Sequence, residues 1–69
     1  MMKIMKVLDK ILQQLQDTQW HNLEEIKNIT EMPSDKLNTI LSFLEKQSFI
    51  DINNGKLKIT GLGLKFLNL

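Results

Sequence analysis

The 69-residue chain contains no cysteine and no arginine, one proline and one histidine. Without cysteine it cannot form disulfides or offer thiolate ligands to a metal. No apolar run approaches the ~18 residues that a membrane-spanning helix needs. The first residues also lack an uninterrupted apolar segment followed by a small-residue cleavage site, so no signal peptide is expected. These absences together predict a cytoplasmic protein.

The lack of arginine bears on any nucleic acid that the chain binds. All nine cationic side chains are lysines, and the net charge is only +1. Arginine is the preferred side chain for reading guanine edges in the major groove. Its absence therefore has two open interpretations. Either the protein is a weakly sequence-specific reader, or it comes from a lysine-rich proteome.

Residues suited to catalysis are scarce. His21 is the only histidine, and a lone histidine near a strand is more often structural than catalytic. No cysteine–histidine cluster suggests zinc, and the segment Gly61-Leu62-Gly63 lacks the spacing and lysine of a phosphate loop. We expect no enzyme activity, no catalytic residue, no metal site and no cofactor. Gly61 and Gly63 are instead expected to allow close packing. Trp20 is expected in the core, and the alternative is a surface on which bases stack.

The apolar residues predict one small domain over residues 1–69. Hydrophobic residues make up 42% of the chain, which is ample for a globular fold. Helical spacing predicts a first helix at 3–16, followed by extended backbone at Trp20 and His21. A second helix is expected from an N-cap at Asn22, with Glu25 completing a capping box, and it should end before Pro33. The apolar stripe of the first helix comprises Ile4, Val7, Leu8, Ile11, Leu12 and Leu15.

The second half predicts a helix, a hairpin and a last short helix. Leu37, Ile40, Leu41 and Leu44 have helical spacing within a third helix at about 34–47. Asn54-Gly55 predicts a type I′ turn between two strands at about 50–59, because both central residues of that turn need positive φ. This turn places Asn53 opposite Lys56. It also places Asp51 opposite Lys58, where a cross-strand ion pair is expected.

Two passages resemble the winged helix-turn-helix family, particularly its small archaeal and bacterial regulators. The segment LEKQSFI at 44–50 resembles the passage from recognition helix to wing, although a glycine usually occupies the position of Ser48. Ile59-Thr60, followed by Gly63 and Phe66-Leu67, resembles the passage from strand to last helix. Over residues 4–67 the resemblance implies an α+β fold. That fold has a three-helix core, a short β-hairpin wing and a short C-terminal helix.

The resemblance implies binding of double-stranded DNA, with the third helix in the major groove. Asn38 has the side chain that pairs with adenine, and Lys56 is the best placed wing contact to a phosphate. Two acids at the start of the second helix, Glu24 and Glu25, would repel a phosphate there. The alternative for the third helix is an ordinary solvated face. The candidate DNA-binding residues are Ser34, Lys36, Asn38, Thr39, Ser42, Lys46, Lys56 and Lys58.

The apolar residues at both ends of the chain predict a homodimer. On the last helix, Leu62, Phe66 and Leu69 fall on one face, and Leu64 and Leu67 fall on nearly the opposite one. A helix that is apolar all round is buried on both sides. Met2 and Met5 likewise lie off the main stripe of the first helix. A dimer through helix 1 and the C-terminal segment would bury these residues, whereas the alternative is partial exposure at a chain end.

The expected function is transcription regulation through binding of double-stranded DNA. The alternative is a winged helix that serves as a protein–protein interaction module within a larger complex, without DNA binding. The balanced charge, the missing arginine and the acidic second helix favour that alternative. The polar face of the third helix favours DNA.

Overall fold

A computed structural model describes the backbone of residues 3–69 and the side chains of residues 6–69. The order of helices and strands is the one that the sequence predicts, with α1 and α3 ending one or two residues early. No helix in the described part of the chain is long and apolar enough to cross a membrane. The elements are α1 (Lys3–Gln14), β1 (His21–Asn22), α2 (Leu23–Thr30), α3 (Ser34–Lys46), β2 (Ile50–Asn53), β3 (Lys56–Ile59) and α4 (Gly61–Leu67).

The three strands form an antiparallel sheet in the order β1-β3-β2. The predicted pairing of β2 with β3 is confirmed, with Asp51 opposite Lys58. The turn is also as predicted, because Asn54 and Gly55 have φ of 51° and 75°. The carbonyl of Gly55 accepts a hydrogen bond from the backbone N–H of Leu23 at 2.9 Å. The hairpin tip is therefore fastened to the start of α2.

One hydrophobic core lies between α1, α2, α3 and the inner face of the sheet. The four predicted positions of α3 are all buried. Ile4 and Met5 lie outside the described side chains, and Met2 lies outside the described backbone. The buried core residues are Leu8, Ile11, Leu12, Leu15, Ile26, Leu37, Ile40, Leu41, Leu44, Ile50, Leu57 and Ile59.

The start of α2 differs from the prediction. Asn22 does occupy the N-cap position, but its side chain makes no capping hydrogen bond. Glu25 does not complete a capping box either, because its carboxylate binds the side chains of His21 and Gln14 instead. The predicted capping box is therefore wrong. Asn22 belongs to β1 and its position opposite Lys56 in the sheet determines its backbone conformation.

The passage from α3 to β2 is a tight helix exit built on a serine. Ser48 has φ of 64°, its N–H donates to the carbonyl of Glu45, and the N–H of Phe49 donates to the carbonyl of Leu44. This pair of hydrogen bonds is the Schellman motif, which usually has glycine at the left-handed position. The left-handed conformation is present here although a serine stands where the resembling family has glycine.

The last helix packs closely on the same exit. The side chain of Thr60 caps α4 by accepting from the N–H of Gly63 at 3.0 Å. Gly63 lies so close to Phe49 that a Cβ there would be 2.2 Å from the Phe49 carbonyl oxygen, whereas a Cβ on Gly61 would meet nothing within 4 Å. The expectation of close packing is therefore confirmed for Gly63 and wrong for Gly61. Phe66 stacks on Phe49 with ring centroids 4.6 Å apart.

The two glycines of α4 give a matched test of this packing. Gly63→Ala should destabilise the protein by about 1–3 kcal/mol, because the added methyl group overlaps backbone that cannot swing away. Gly61→Ala, which adds the same methyl group to open space, should be neutral or stabilising by up to about 1 kcal/mol. Urea denaturation of both variants checks this. Equal stability of the two would contradict the described packing.

Replacing Ser48 with glycine should stabilise the protein by about 1 kcal/mol, because glycine removes the penalty of the left-handed conformation. Gln47, the preceding residue, has an ordinary helical φ of −81° and is the control. Gln47→Gly should leave stability unchanged or lower it. The midpoints of thermal unfolding report both changes, and a lower midpoint for Ser48→Gly would contradict the assignment.

Candidate functional site

The outward face of α3 meets the hairpin tip at a small groove, which we call the α3 groove. Its volume is about 140 Å³, and the exposed side chains of Asn38 and Ser42 lie on the helix side of it. Gly55 brings the hairpin tip to the other side. The α3 groove is lined by Leu23, Asn38, Leu41, Ser42, Ile52, Gly55 and Leu57. Two of the predicted DNA-binding residues are thus brought beside the turn of the hairpin.

The other predicted residues of α3 lie outside this groove. Ser34, Lys36, Thr39 and Lys46 are all exposed. The hydroxyl of Thr39 donates to the backbone carbonyl of Asp35 at 3.0 Å, one helical turn before it. A base contact in which this hydroxyl donates would therefore replace an existing hydrogen bond, whereas its oxygen can still accept one. Lys36 and Lys46, on the outer face of the helix, are not constrained in the way that Thr39 is.

The two predicted lysines of the hairpin lie near an exposed tryptophan. Lys56 lines a shallow cavity of about 290 Å³ together with Trp20, Asn53 and Asn54; we call this cavity the indole depression. Trp20 is 44% exposed, so the expectation that it lies in the core is wrong. It directly precedes β1, and its indole meets Lys58 of β3 rather than the core.

Lys58 contacts Trp20 instead of forming the predicted ion pair. Its Nζ lies 5.5 Å from the centroid of the indole ring. Within residues 6–69 every ion pair involves His21, so Asp51 and Lys58 are neighbours in the sheet without being paired. The predicted ion pair is wrong. A surface ion pair contributes little, whereas a cation over an indole face gains a comparable or larger stabilisation.

A polar cluster that the sequence reasoning missed surrounds His21. Its Nε2 lies 2.8 Å from Oδ1 of Asp17, and its Nδ1 lies 2.8 Å from Oε2 of Glu25. Glu25 also accepts a hydrogen bond from the side-chain amide of Gln14 at 3.1 Å. The spacing 17–21–25 was the available signal, but it suggests a helix. Here the chain passes through a loop and β1, and α2 returns the last acid to the histidine.

The cluster favours the charged form of the histidine. Both ring nitrogens face carboxylates, and only the imidazolium can donate from both. The hydrogen bond with Asp17 and then that with Glu25 raise the pKa of His21. The hydrogen bond with His21 in turn lowers the pKa of both Asp17 and Glu25. The hydrogen bonds of the cluster therefore hold the end of α1, β1 and the first turn of α2 together, and we call this set of contacts the clip.

In the described part of the chain, no group of three or more acidic or histidine side chains is arranged to hold a metal ion. The expected structural role of His21 agrees with its contacts, since its side chain is only 13% exposed. The clip also occupies Glu25, so Glu24 is the exposed acid of the first turn of α2 that no ion pair neutralises in residues 6–69.

Some apolar surface remains exposed on the isolated chain. Phe43 is 46% and Leu62 is 50% exposed, and Leu69 at the end is almost fully so. Other residues of the last segment contact the chain's own core, namely Leu64, Phe66 and Leu67. The two-sided apolar pattern of α4 is therefore largely satisfied within one chain.

Comparison of the sequence and structure with family models, curated proteins and solved structures finds no match.

The His21 cluster makes stability depend on pH. The raised pKa of His21 contributes stability that is complete below its unfolded value of 6.5 and is lost as the pH rises through the folded value. The lowered pKa values of Asp17 and Glu25 contribute stability above 3.8 and 4.5, which is lost at lower pH. The cluster should therefore stabilise most at about pH 5–6.5.

Thermal unfolding between pH 4 and 9 checks this expectation. The midpoint should fall as the pH rises from 6 to 9 in the wild type, and that fall should be smaller in His21→Gln. Asp51→Asn removes an exposed carboxylate outside the cluster and is the control, which should keep the wild-type profile. Identical profiles for His21→Gln and the wild type would contradict the clip.

Proposed function

We propose that the protein is a winged helix-turn-helix domain that binds double-stranded DNA and regulates transcription in the cytoplasm. It acts by occupying its site, without catalysis. Support comes from the order of elements and from the strand order β1-β3-β2. A connection of only three residues, 31–33, between α2 and α3 supports it as well, because a short turn is typical of a helix-turn-helix.

The observation that carries the proposal is the α3 groove. Asn38 and Ser42 are exposed on the outward face of the third helix, directly beside the hairpin tip. In this class of DNA-binding domain the third helix lies in the major groove and the wing contacts the flanking backbone. Asn38 has the amide that pairs with the N6 and N7 edge of adenine. Ser34, Thr39 and Ser42 are suited to phosphates or bases.

The lysines supply the electrostatic part of binding. Lys36 and Lys46 are exposed on α3, and Lys56 is exposed on the hairpin. Each phosphate contact releases counterions, so affinity falls as salt rises. With a net charge of +1 the protein depends on this local grouping rather than on its overall charge. Moderate affinity that is sensitive to salt is the expected behaviour.

The hairpin is suited to skim the DNA backbone. It has only two residues in its turn, and the hydrogen bond from Leu23 to Gly55 holds the tip against α2. A tip held in this way cannot extend far into a minor groove. Its role in the proposal is to present Lys56 to a phosphate, while α3 carries the sequence preference.

Dimer formation through helix 1 and the C-terminal segment remains part of the proposal. A two-fold dimer reads two half-sites of a palindrome. The half-exposed Leu62 and the fully exposed Leu69 support it, since they leave apolar surface at the C-terminal end. The contribution of Phe66 to such an interface is reduced, because this ring already stacks on Phe49.

The second candidate function is a protein-interaction module within a larger complex. Phe43 favours it, because this aromatic ring is 46% exposed on α3 among otherwise polar neighbours. Aromatic residues are enriched at the centres of protein interfaces. A module of this kind would dock α3 on a partner protein and would have no affinity for duplex DNA.

One titration series tests DNA binding. Selected duplex sequences are measured at two salt concentrations by fluorescence anisotropy of labelled DNA. Asn38→Ala should reduce the preference among sequences, because base contacts specify. Lys56→Ala should weaken all sequences alike and lower the salt slope by about one unit. Asn28→Ala on α2 and Lys65→Ala on α4 remove the same side-chain types elsewhere and should have little effect.

The outcomes separate the two candidate functions. No duplex affinity of the wild type at low salt would overturn DNA binding and favour docking through Phe43. Equal losses for Asn38→Ala and Asn28→Ala would overturn the assignment of α3 as the reading helix. Sedimentation at micromolar concentration reports the oligomeric state, and a monodisperse monomer with and without DNA would remove the dimer from the proposal.

A further inference from the structure

The indole depression lies on the other side of the hairpin tip from the α3 groove. Gly55 lines the groove, whereas its neighbours Asn54 and Lys56 line the depression together with Trp20 and Asn53. The volume of about 290 Å³ is near the lower end of the range for small-ligand sites. The α3 groove and the indole depression therefore adjoin each other at the hairpin tip.

The composition of the depression fits one nucleotide. The indole of Trp20 offers an aromatic surface that is 44% exposed. The ammonium group of Lys58 lies over the same ring in a cation–π contact, although Lys58 itself does not line the depression. Lys56 brings a positive charge to the rim, and the two asparagines bring amide donors and acceptors. Aromatic stacking surfaces beside cations are what single-stranded nucleic acid binds.

We infer that the indole depression binds an unpaired DNA nucleotide next to the duplex held by α3. The base stacks on Trp20, its phosphate contacts Lys56, and the amides of Asn53 and Asn54 face the base edge. The nucleotide is unpaired because bases within a duplex are stacked on each other and present only their edges. This inference deepens the proposed function and rests on it. It predicts a preference for duplex ends or for locally opened DNA.

Trp20 is the only tryptophan, so its own fluorescence reports on the depression without a label. The full chain is titrated with a blunt duplex, with the same duplex carrying a short single-stranded overhang, and with the overhang strand alone. The overhang duplex should bind about fivefold or more tightly than the blunt one, the factor that one stacked base supplies. It should also quench the emission of Trp20 more strongly than the blunt duplex does, because only an unpaired base stacks on the indole.

Three variants test the role of the indole. Trp20→Ala should abolish the preference for the overhang while keeping the affinity for the blunt duplex, and Trp20→Phe should keep part of the preference. Phe43→Ala removes an aromatic ring of similar exposure outside the depression and should keep all of it. Circular dichroism confirms folding of each variant. If Trp20→Ala does not fold, Trp20→Phe and the wild-type quenching decide the matter.

The results distinguish this inference from the function on which it rests. Equal affinity for the two duplexes with unchanged Trp20 emission would overturn the inference and leave duplex binding standing. Binding of single strands without any affinity for the blunt duplex would overturn duplex reading by α3 and support the depression as a single-strand site. No binding of any of the three DNAs would overturn both. A preference that survives in folded Trp20→Ala would also overturn the inference.

Discussion

The set of contacts made by Phe49, which we call the joint, is the constraint on which the rest of the structure depends. Its N–H closes the end of α3 on the carbonyl of Leu44, and its own carbonyl accepts the N–H of Thr60 at 3.0 Å. Its ring stacks on Phe66, and its carbonyl lies against Gly63. One residue thus fixes the end of α3, the base of the hairpin and the start of α4 relative to one another. The position of the hairpin tip beside α3 follows from that joint.

The positions of the two surfaces follow from strand geometry. Successive residues of a strand face opposite sides of the sheet. Ile50, Ile52, Leu57 and Ile59 face the core side, with partial exposure of Ile52 alone. The intervening residues of both strands therefore face outward, and Lys56 and Lys58 lie among them. The inner residues at the tip form part of the floor of the α3 groove, while the outer residues form the indole depression. A two-residue turn is therefore enough to separate the α3 groove from the indole depression.

The sequence predicted the elements well because their signals are local. The stripe of Leu37, Ile40, Leu41 and Leu44 identifies a helix wherever it lies, and Asn54-Gly55 allows few turns other than type I′. Prediction from the sequence failed where a side chain can bind any of several alternative partners. The predicted bonds of Glu25 and Lys58 were to near neighbours in sequence or register. In the fold, His21 and Trp20 come within reach and compete successfully for them.

The same reasoning explains why the candidate site was predicted only in part. Periodicity identified the outward face of α3, where Asn38 and Ser42 are exposed beside the hairpin tip; their contact with DNA stays a prediction. Trp20 was missed because a large aromatic residue in so small a domain is expected inside.

Its exposure is a consequence of the short strand β1. His21 is largely buried, with its ring clipped between two carboxylates, so the residue before it faces the opposite side of the sheet. On that side the indole contacts Lys58 on the outward face of β3 rather than the hydrophobic core. The clip that holds α1, β1 and α2 together therefore also determines that the only tryptophan stands at the surface, beside the hairpin.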